Sequence, residues 1–181
     1  MSQNKTEIAV FGGGCFWCTE AIFKSLKGVT SVTSGFTGGR TLSPSYEQVS
    51  SGNTGHIESI KIEFDPAMIS YDDLLSVFFN THDPTTLNRQ GNDVGEQYSS
   101  AIFYSNEEQK SKAESLIKEL SDSKAYEDPI ITAVKPLGEF YPADESHKDF
   151  YDKNKGSPYC EIVIEPKLDK LKKRFAELLK K

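Results

Sequence analysis

Residues 8–20 read Ile8-Ala9-Val10-Phe11-Gly12-Gly13-Gly14-Cys15-Phe16-Trp17-Cys18-Thr19-Glu20, an apolar run followed by three glycines and a C-x-x-C. The apolar run is typical of a buried strand, and the apolar positions between Cys18 and Gly28 indicate a helix. The glycines allow a tight turn between the two, which puts Cys15 at the N-terminus of the helix. Free backbone N–H groups and the positive end of the helix dipole favour a thiolate there. We therefore expect a nucleophilic thiol at Cys15 and an enzyme built around it.

The composition of the chain excludes several classes of function. With 181 residues, 36% of them hydrophobic and 27% charged, residues 1–181 are expected to form a single catalytic domain. A net charge of −6 and scattered basic residues argue against nucleic-acid binding. No signal-peptide core or apolar run of membrane-spanning length occurs, so we expect a cytoplasmic protein without membrane association. Three cysteines are too few for a disulfide framework and favour catalysis or metal binding.

Strand and helix signals alternate along the rest of the chain. Apolar and alternating runs predict strands at 29–36, 56–64, 98–104, 129–134 and 160–164. Capping and proline signals predict helices that begin at Ser70, Ser105 and Pro166, with a short helix within 143–153. Residues 80–97 are rich in turn formers, and a long loop in a compact domain is usually functional. This order predicts an α/β or α+β two-layer sandwich, which the pattern alone does not separate.

Glu58 has the same phase as the apolar face of its strand. Ile60, Ile62 and Phe64 share one face of the run, and Glu58 lies two residues before Ile60. A carboxylate directed toward a core is costly when charged, so we expect a raised pKa for Glu58. The alternative is that Glu58 lies at the strand edge, where the chain is still solvated.

The C-x-x-C is compatible with more than one chemistry. A thioredoxin-like oxidoreductase also carries this motif where a helix follows a strand, but Phe16 and Trp17 are better suited to wall an apolar group beside a thiolate. Zinc could bind Cys15, Cys18, Cys160 and one of the three histidines, although no second paired motif accompanies the first. Hydrolysis by a Cys/His pair stays open. The glycine-rich turn lacks the residues of a dinucleotide site or a P-loop.

Six motifs, spread along nearly the whole chain, point to one family. They are Gly14-Cys15-Phe16-Trp17, Tyr46, Thr54-Gly55-His56-Ile57-Glu58, Gln90-Gly91-Asn92-Asp93-Val94-Gly95-Glu96-Gln97-Tyr98, Phe140-Tyr141-Pro142-Ala143 and Pro158-Tyr159-Cys160. In this order they closely resemble the peptide methionine sulfoxide reductase A family. The resemblance implies an α+β fold, a two-layer sandwich with a ferredoxin-like core of mixed β-sheet and packed helices. It also implies repair of oxidative damage by reduction of methionine-S-sulfoxide, free and in proteins, to methionine.

The same resemblance implies roles for individual residues. Cys15 would attack the sulfoxide sulfur and become a sulfenic acid, while Phe16 and Trp17 would hold the methyl group of the substrate. Glu58 would be the acid that protonates the oxygen, a role that agrees with its inward phase. The oxygen side of the site would be completed by two phenols and a supporting carboxylate, Tyr46, Tyr98 and Asp93.

The second thiol is where the chain departs from many relatives, which have glycine at the position of Cys18 and use cysteines near the C-terminus. We expect Cys18 to form the disulfide with Cys15, with Cys160 as the alternative resolving thiol, inert or part of a relay. The resemblance implies thioredoxin as reductant, no bound cofactor or metal, and oxidised proteins or free methionine sulfoxide as substrates of a monomer. The rival function is a general thioredoxin-like thiol–disulfide oxidoreductase that uses Cys15 and Cys18.

Overall fold

A computed structural model describes residues 5–180 of the chain. The strands are β1 (Glu7–Gly13), β2 (Val29–Thr37), β3 (Ile57–Phe64), β4 (Arg89–Gln90), β5 (Asp93–Val94), β6 (Ser100–Tyr104), β7 (Ala133–Pro136) and β8 (Phe140–Pro142). The α-helices are α1 (Phe16–Lys24), α2 (Tyr46–Ser50), α3 (Tyr71–Thr81), α4 (Glu107–Asp122), α5 (Phe150–Lys153) and α6 (Glu165–Arg174). Three 3₁₀ turns (Glu96–Tyr98, Glu145–His147, Ala176–Leu178) and a π-helical turn (Cys160–Ile164) complete the description.

Six strands form one sheet in the order β7-β6-β1-β3-β2-β8, and β4 and β5 form a separate hairpin. The central strands β6, β1, β3 and β2 are antiparallel, with α1 connecting β1 to β2 and α3 lying between β3 and β6. That arrangement is the ferredoxin-like plait. At the edges, β7 adds parallel to β6 and β8 adds antiparallel to β2, so the sheet is mixed. The predicted α+β fold with a ferredoxin-like core is therefore confirmed.

Aromatic side chains join the sheet to its helices. Phe11 on β1 lies with its ring centroid 5.7 Å from that of Phe23 on α1 and stacks at 4.8 Å on Phe78 of α3. All three rings are almost completely buried, and burial of each contributes roughly 1.5–3 kcal/mol. The predicted start of α3 is also confirmed, because Ser70 and Asp73 cap each other's backbone N–H groups. These contacts hold β1 and α1 rigidly, and the turn between them carries Cys15.

The predicted strand at 160–164 is wrong. These residues form a π-helical turn that runs directly into α6, with Cys160 and Ile164 both buried. The two positions are four residues apart, a spacing that also fits one face of a helix, and a short apolar run does not distinguish the two patterns. The turn packs Cys160 and Ile164 against the beginning of α1.

Several predicted boundaries were displaced, and short elements were missed. Tyr98 closes a 3₁₀ turn, so the strand predicted from 98 begins at Ser100, and the strand predicted from 129 begins at Ala133. Helix α4 is capped by Asn106 instead of Ser105, since the Asn106 side chain accepts the Gln109 N–H at 2.9 Å. The helix α2 and the edge strand β8 carry too few residues to show a period.

None of the helices within residues 5–180 combines the length and the apolar character needed to cross a bilayer.

Candidate active site

The turn between β1 and α1 sets the position of Cys15. Gly14 has φ +93°, and a Cβ at this position would lie 2.6 Å from Cγ of Gln90, so only glycine fits. Cys15 is the N-cap residue of α1, and its carbonyl oxygen accepts the Cys18 N–H at 3.1 Å. Cys15 and Cys18 therefore lie one turn apart at the beginning of the helix, and both are buried.

The expectation of a thiolate at Cys15 is wrong for the resting site. Burial raises the pKa of Cys15 well above its ordinary value, and contact with Cys18 and the charge of Glu58 raise it further. Desolvation of the charged sulfur thus outweighs the attraction of the helix N-terminus. The pKa of Cys18 is lowered instead, chiefly by its interaction with the neighbouring Cys15 thiol.

Glu58 is a buried acid beside the start of α1. It lies on β3 with 1% of its surface exposed, and its Oε1 accepts the Phe16 N–H at 3.2 Å. Its Oε2 is buried and has no hydrogen-bond partner within residues 5–180. Burial raises the pKa of Glu58 to about 8, although the Phe16 N–H opposes the shift. The inward orientation and the raised pKa are confirmed, and the solvated-edge alternative is wrong.

Two phenols face the same site from different segments. Tyr46 opens α2, and Tyr98 ends the 3₁₀ turn before β6. Burial raises the pKa of both hydroxyls, and the charge of Glu58 is the next largest cause in each case, with a further contribution from Cys15. Tyr98 packs against the apolar cluster that contains Cys15, and the Tyr46 ring centroid lies 6.4 Å from that of Phe16, so both phenols lie near the start of α1.

Asp93 is connected to the Cys18 thiol by Tyr159, a residue that was not predicted as part of the site. Asp93 lies on β5, and its Oδ2 accepts a hydrogen bond from the Tyr159 hydroxyl at 3.0 Å. The same hydroxyl oxygen lies 3.5 Å from Sγ of Cys18. Tyr159 belongs to the Pro-Tyr-Cys motif near the end of the chain, which was the only sequence signal for it. Its contact with residues 66 and 141 positions away depends entirely on the tertiary fold.

All three cysteines are free and share one apolar cluster. Cys160 is fully buried and packs in the same group as Cys15, Cys18 and Ile164. The π-helical turn thus brings Cys160 close to the two thiols at the start of α1. Both candidate resolving thiols therefore belong to the apolar cluster that contains Cys15.

The aromatic wall of the site is built from α1 and the segment around α5. Phe16 is completely buried, whereas Trp17 is partly exposed and stacks on Phe150 with centroids 3.8 Å apart and planes 6° from parallel. His147 lies against both rings, and its Nδ1 accepts the indole N–H of Trp17 at 3.2 Å. Neither Phe150 nor His147 was predicted as part of the site.

A cavity of about 570 Å³ opens onto the two thiols of α1. Its walls include Asp93 of the β4–β5 hairpin, Ile162 of the π-helical turn, which is 72% exposed, and Lys167 of α6. The hairpin falls within the long segment 80–97 that was expected to be functional. Cys15 and Cys18, both buried, thus form part of the wall of a surface cavity.

Metal binding finds no support in the part of the chain that the structure describes, where no three His, Cys, Asp or Glu side chains are grouped to hold an ion. Two histidines have structural hydrogen bonds. His56 accepts the Gly39 N–H and contacts the Thr41 carbonyl, and the ring nitrogens of His82 contact the Phe78 carbonyl and the Ser100 hydroxyl. His147 holds the Trp17 indole.

Comparison with known proteins gives matches along nearly the full length. A family model described as "Peptide methionine sulfoxide reductase" matches residues 7–179. Peptide methionine sulfoxide reductase MsrA of Chromobacterium violaceum is 52% identical over 173 residues, covering 96% of this chain and 98% of that protein. MsrA of Saccharolobus solfataricus is 52% identical over 174 residues, covering 96% and 97%.

A solved structure agrees with these matches. The reduced form of Mxr1 from Saccharomyces cerevisiae is 29% identical and has a TM-score of 0.81, covering 88% of this chain and 91% of that one. Mxr1 in complex with Trx2 is also similar in fold, with 20% identity and a TM-score of 0.57 over 82% and 87% of the two chains. The sequence matches do not favour a general thiol–disulfide oxidoreductase. The chain belongs to the peptide methionine sulfoxide reductase family.

Proposed function

We propose that the chain reduces methionine-S-sulfoxide, free and in proteins, to methionine, with Cys15 as the nucleophile. It is an oxidoreductase of this family, and the reduction depends on thiols. The observation that carries the assignment of residues is the buried carboxyl group of Glu58, whose pKa of about 8 leaves it protonated near neutral pH beside the Cys15 helix start. We further propose that residues 1–181 act as a single catalytic domain, as a monomer, in the cytoplasm.

The first step transfers oxygen from the substrate to Cys15. The Cys15 sulfur attacks the sulfoxide sulfur while Glu58 gives its proton to the sulfoxide oxygen. The attack joins the two sulfur atoms, and the oxygen, now a hydroxyl, is still on the substrate sulfur. The hydroxyl then moves to the Cys15 sulfur while the S–S bond and the substrate S–O bond break, so Cys15 becomes a sulfenic acid and methionine leaves reduced by two electrons. The proton lost by the Cys15 thiol restores Glu58. Proton donation of this kind typically accelerates a reaction by roughly 10²–10⁴-fold.

The other residues act on the two ends of the sulfoxide group. Phe16 and Trp17 provide an apolar surface for the substrate methyl group. Tyr46 and Tyr98 donate hydrogen bonds to the oxygen. A phenol with its ordinary pKa near 10 is protonated at neutral pH, and burial raises the pKa of both further. Asp93 supports this arrangement, and its hydrogen bond with Tyr159 links it to the thiol pair.

The second step forms a disulfide. The Cys18 sulfur attacks the sulfenic sulfur of Cys15 and the S–O bond breaks. The leaving hydroxyl group takes the proton of the Cys18 thiol and departs as water. The lowered pKa of Cys18 supports this choice, because a thiolate is the reactive form for exchange. Cys160 is the alternative, since it packs in the same cluster and could resolve Cys15 directly or accept the disulfide in turn.

Thioredoxin is the proposed reductant, and no bound cofactor is required. Yeast Mxr1, which shares this fold, has been solved in complex with Trx2. In this chain the cavity that opens onto Cys15 and Cys18 would admit an attacking thiol. Two electrons from the thioredoxin dithiol return the disulfide to two thiols and close the cycle.

One experiment tests the proposal as a whole. The reduced protein is given one equivalent of either epimer of methionine sulfoxide without thioredoxin, quenched with an alkylating reagent and mapped by non-reducing mass spectrometry. We expect methionine release with the S-epimer only, and a single peptide in which Cys15 and Cys18 are joined by a disulfide and neither is alkylated. Absence of methionine release, or release with Cys15 still alkylated, would refute the assignment.

A further inference from the structure

The His147 side chain lies among the aromatic groups assigned to the substrate. Its ring centroid is 4.6 Å from that of Tyr46, 5.5 Å from Phe16 and 5.9 Å from Trp17, with its plane 21° from the indole plane. Imidazole therefore contacts both the apolar wall and a phenol that faces the sulfoxide oxygen.

The hydrogen bond to Trp17 determines the state of the imidazole. The indole N–H can only donate, so Nδ1 of His147, 3.2 Å away, must accept. The ring is therefore neutral, with its proton on Nε2. A protonated imidazole would direct an N–H group at another N–H group and lose the bond.

His147 is held in place from outside the site. It ends the 3₁₀ turn Glu145–His147, whose start is capped by Asp144. A few residues later Lys24 of α1 pairs with Asp149 and, at 2.9 Å, with Asp152. Since Phe150 between them stacks on Trp17, the whole segment is fastened along α1.

We propose that His147 is a positioning residue for the reaction, which holds the Trp17 indole in its substrate-binding orientation only while the imidazole is neutral. The inference rests on the proposed function of the aromatic wall. Trp17 is partly exposed and has its indole N–H directed at His147, so removal of this acceptor leaves the ring with packing contacts alone. A misplaced indole weakens the hold on the substrate methyl group and raises KM more than it lowers kcat.

The surroundings of His147 define the pH range of the effect. Burial lowers its pKa below the ordinary 6.5, while two nearby carboxylates, Asp144 at its own turn and Glu47 of α2, oppose the shift. Phe16 and Trp17 of α1 bring no charge, and the Tyr46 phenol stays neutral because its pKa is raised. As pH falls through the lowered pKa, His147 gains a proton, the bond to Trp17 is lost and KM rises.

Two variants separate the hydrogen bond from simple packing. His147→Gln keeps an acceptor but does not titrate, and His147→Phe keeps a ring but has no acceptor. Trp17 is the only tryptophan in the chain, so its fluorescence reports this contact directly. The measurements are KM and kcat for methionine-S-sulfoxide, and Trp17 emission, each between about pH 8 and pH 5.

We expect the wild-type KM and the Trp17 emission to change together below pH 6.5, with protonated imidazole quenching the indole. His147→Gln should have a near wild-type KM and no such titration, whereas His147→Phe should raise KM at neutral pH by about 3- to 10-fold. A wild-type KM in His147→Phe, or a titration that persists in His147→Gln, would overturn the inference while wild-type turnover upholds the proposed function. Fluorescence titration without any wild-type turnover would instead refute the proposed function and the role of the pocket with it.

Discussion

Replacement of Glu58 by glutamine gives the most quantitative prediction for this protein. Glutamine keeps the size of the side chain and an oxygen that can accept the Phe16 N–H, but it never ionises. The substitution therefore removes only the acidic proton, which Glu58 retains up to about pH 8 and can donate. Both stability and catalysis should respond, each with its own dependence on pH.

The stability effect follows from the two pKa values of Glu58. The group titrates near 4.5 in the unfolded chain and at about 8 in the folded protein. Between these values the native state binds a proton that the unfolded state has lost, so the free energy of unfolding falls as pH rises. The free energy of unfolding falls by about 1.4 kcal/mol for each pH unit in this range, so the loss of stability reaches roughly 5 kcal/mol above pH 8. Glu58→Gln should remove this loss and leave the stability at low pH unchanged.

Glu58→Gln should slow catalysis, although it stabilises the fold at high pH. Without an acid to protonate the sulfoxide oxygen, single-turnover methionine release should slow by roughly 10²–10⁴-fold, while substrate affinity changes far less. In the wild type the same step should slow as pH rises through about 8, where Glu58 loses its proton. That decline should be absent in Glu58→Gln.

Urea unfolding of the reduced proteins across a pH series, combined with rapid-quench single turnovers, measures both effects. The matched control is Glu63→Gln, because Glu63 lies on the same strand but points to its opposite, partly exposed face. The control should unfold and react like the wild type at every pH. Parallel stability curves for Glu58→Gln and wild type, or an unchanged single-turnover rate, would refute the assignment of Glu58 as a buried acid.

Four further substitutions test the thiols and the scaffold. Cys15→Ser should abolish reduction of the S-epimer, as measured by methionine release; substantial residual turnover contradicts its role as nucleophile. Cys18→Ser should still release about one equivalent of methionine but slow thioredoxin-dependent cycling; normal cycling in this variant, together with its loss in Cys160→Ser, would identify Cys160 as the resolving thiol. Ser70→Ala should lower the free energy of unfolding by about 1 kcal/mol through loss of the α3 cap, with kcat unchanged; equal urea midpoints would show that this cap contributes nothing.

Features that depend on local spacing could be predicted from the sequence. The position of Cys15 at a helix start follows from an apolar run, three glycines and an apolar helix pattern in adjacent residues. The inward phase of Glu58 follows from the two-residue period of β3, which places it on the same face as Ile60. The motif resemblance further predicted the α+β fold and most of the proposed site residues, but not Tyr159 or His147.

The sequence by itself therefore determined the strand–turn–helix unit around Cys15, which family the motifs resemble, and which face of β3 carries the acid, because each depends on patterns within short stretches of the chain. Only the tertiary structure decided the ionisation of the thiols, since burial of Cys15 sums the effect of distant segments and outweighs the local helix dipole. It also decided that Cys160 packs beside the other thiols and that Tyr159 and His147 reach the site. These contacts join residues more than 100 positions apart, and no local period in the sequence encodes them.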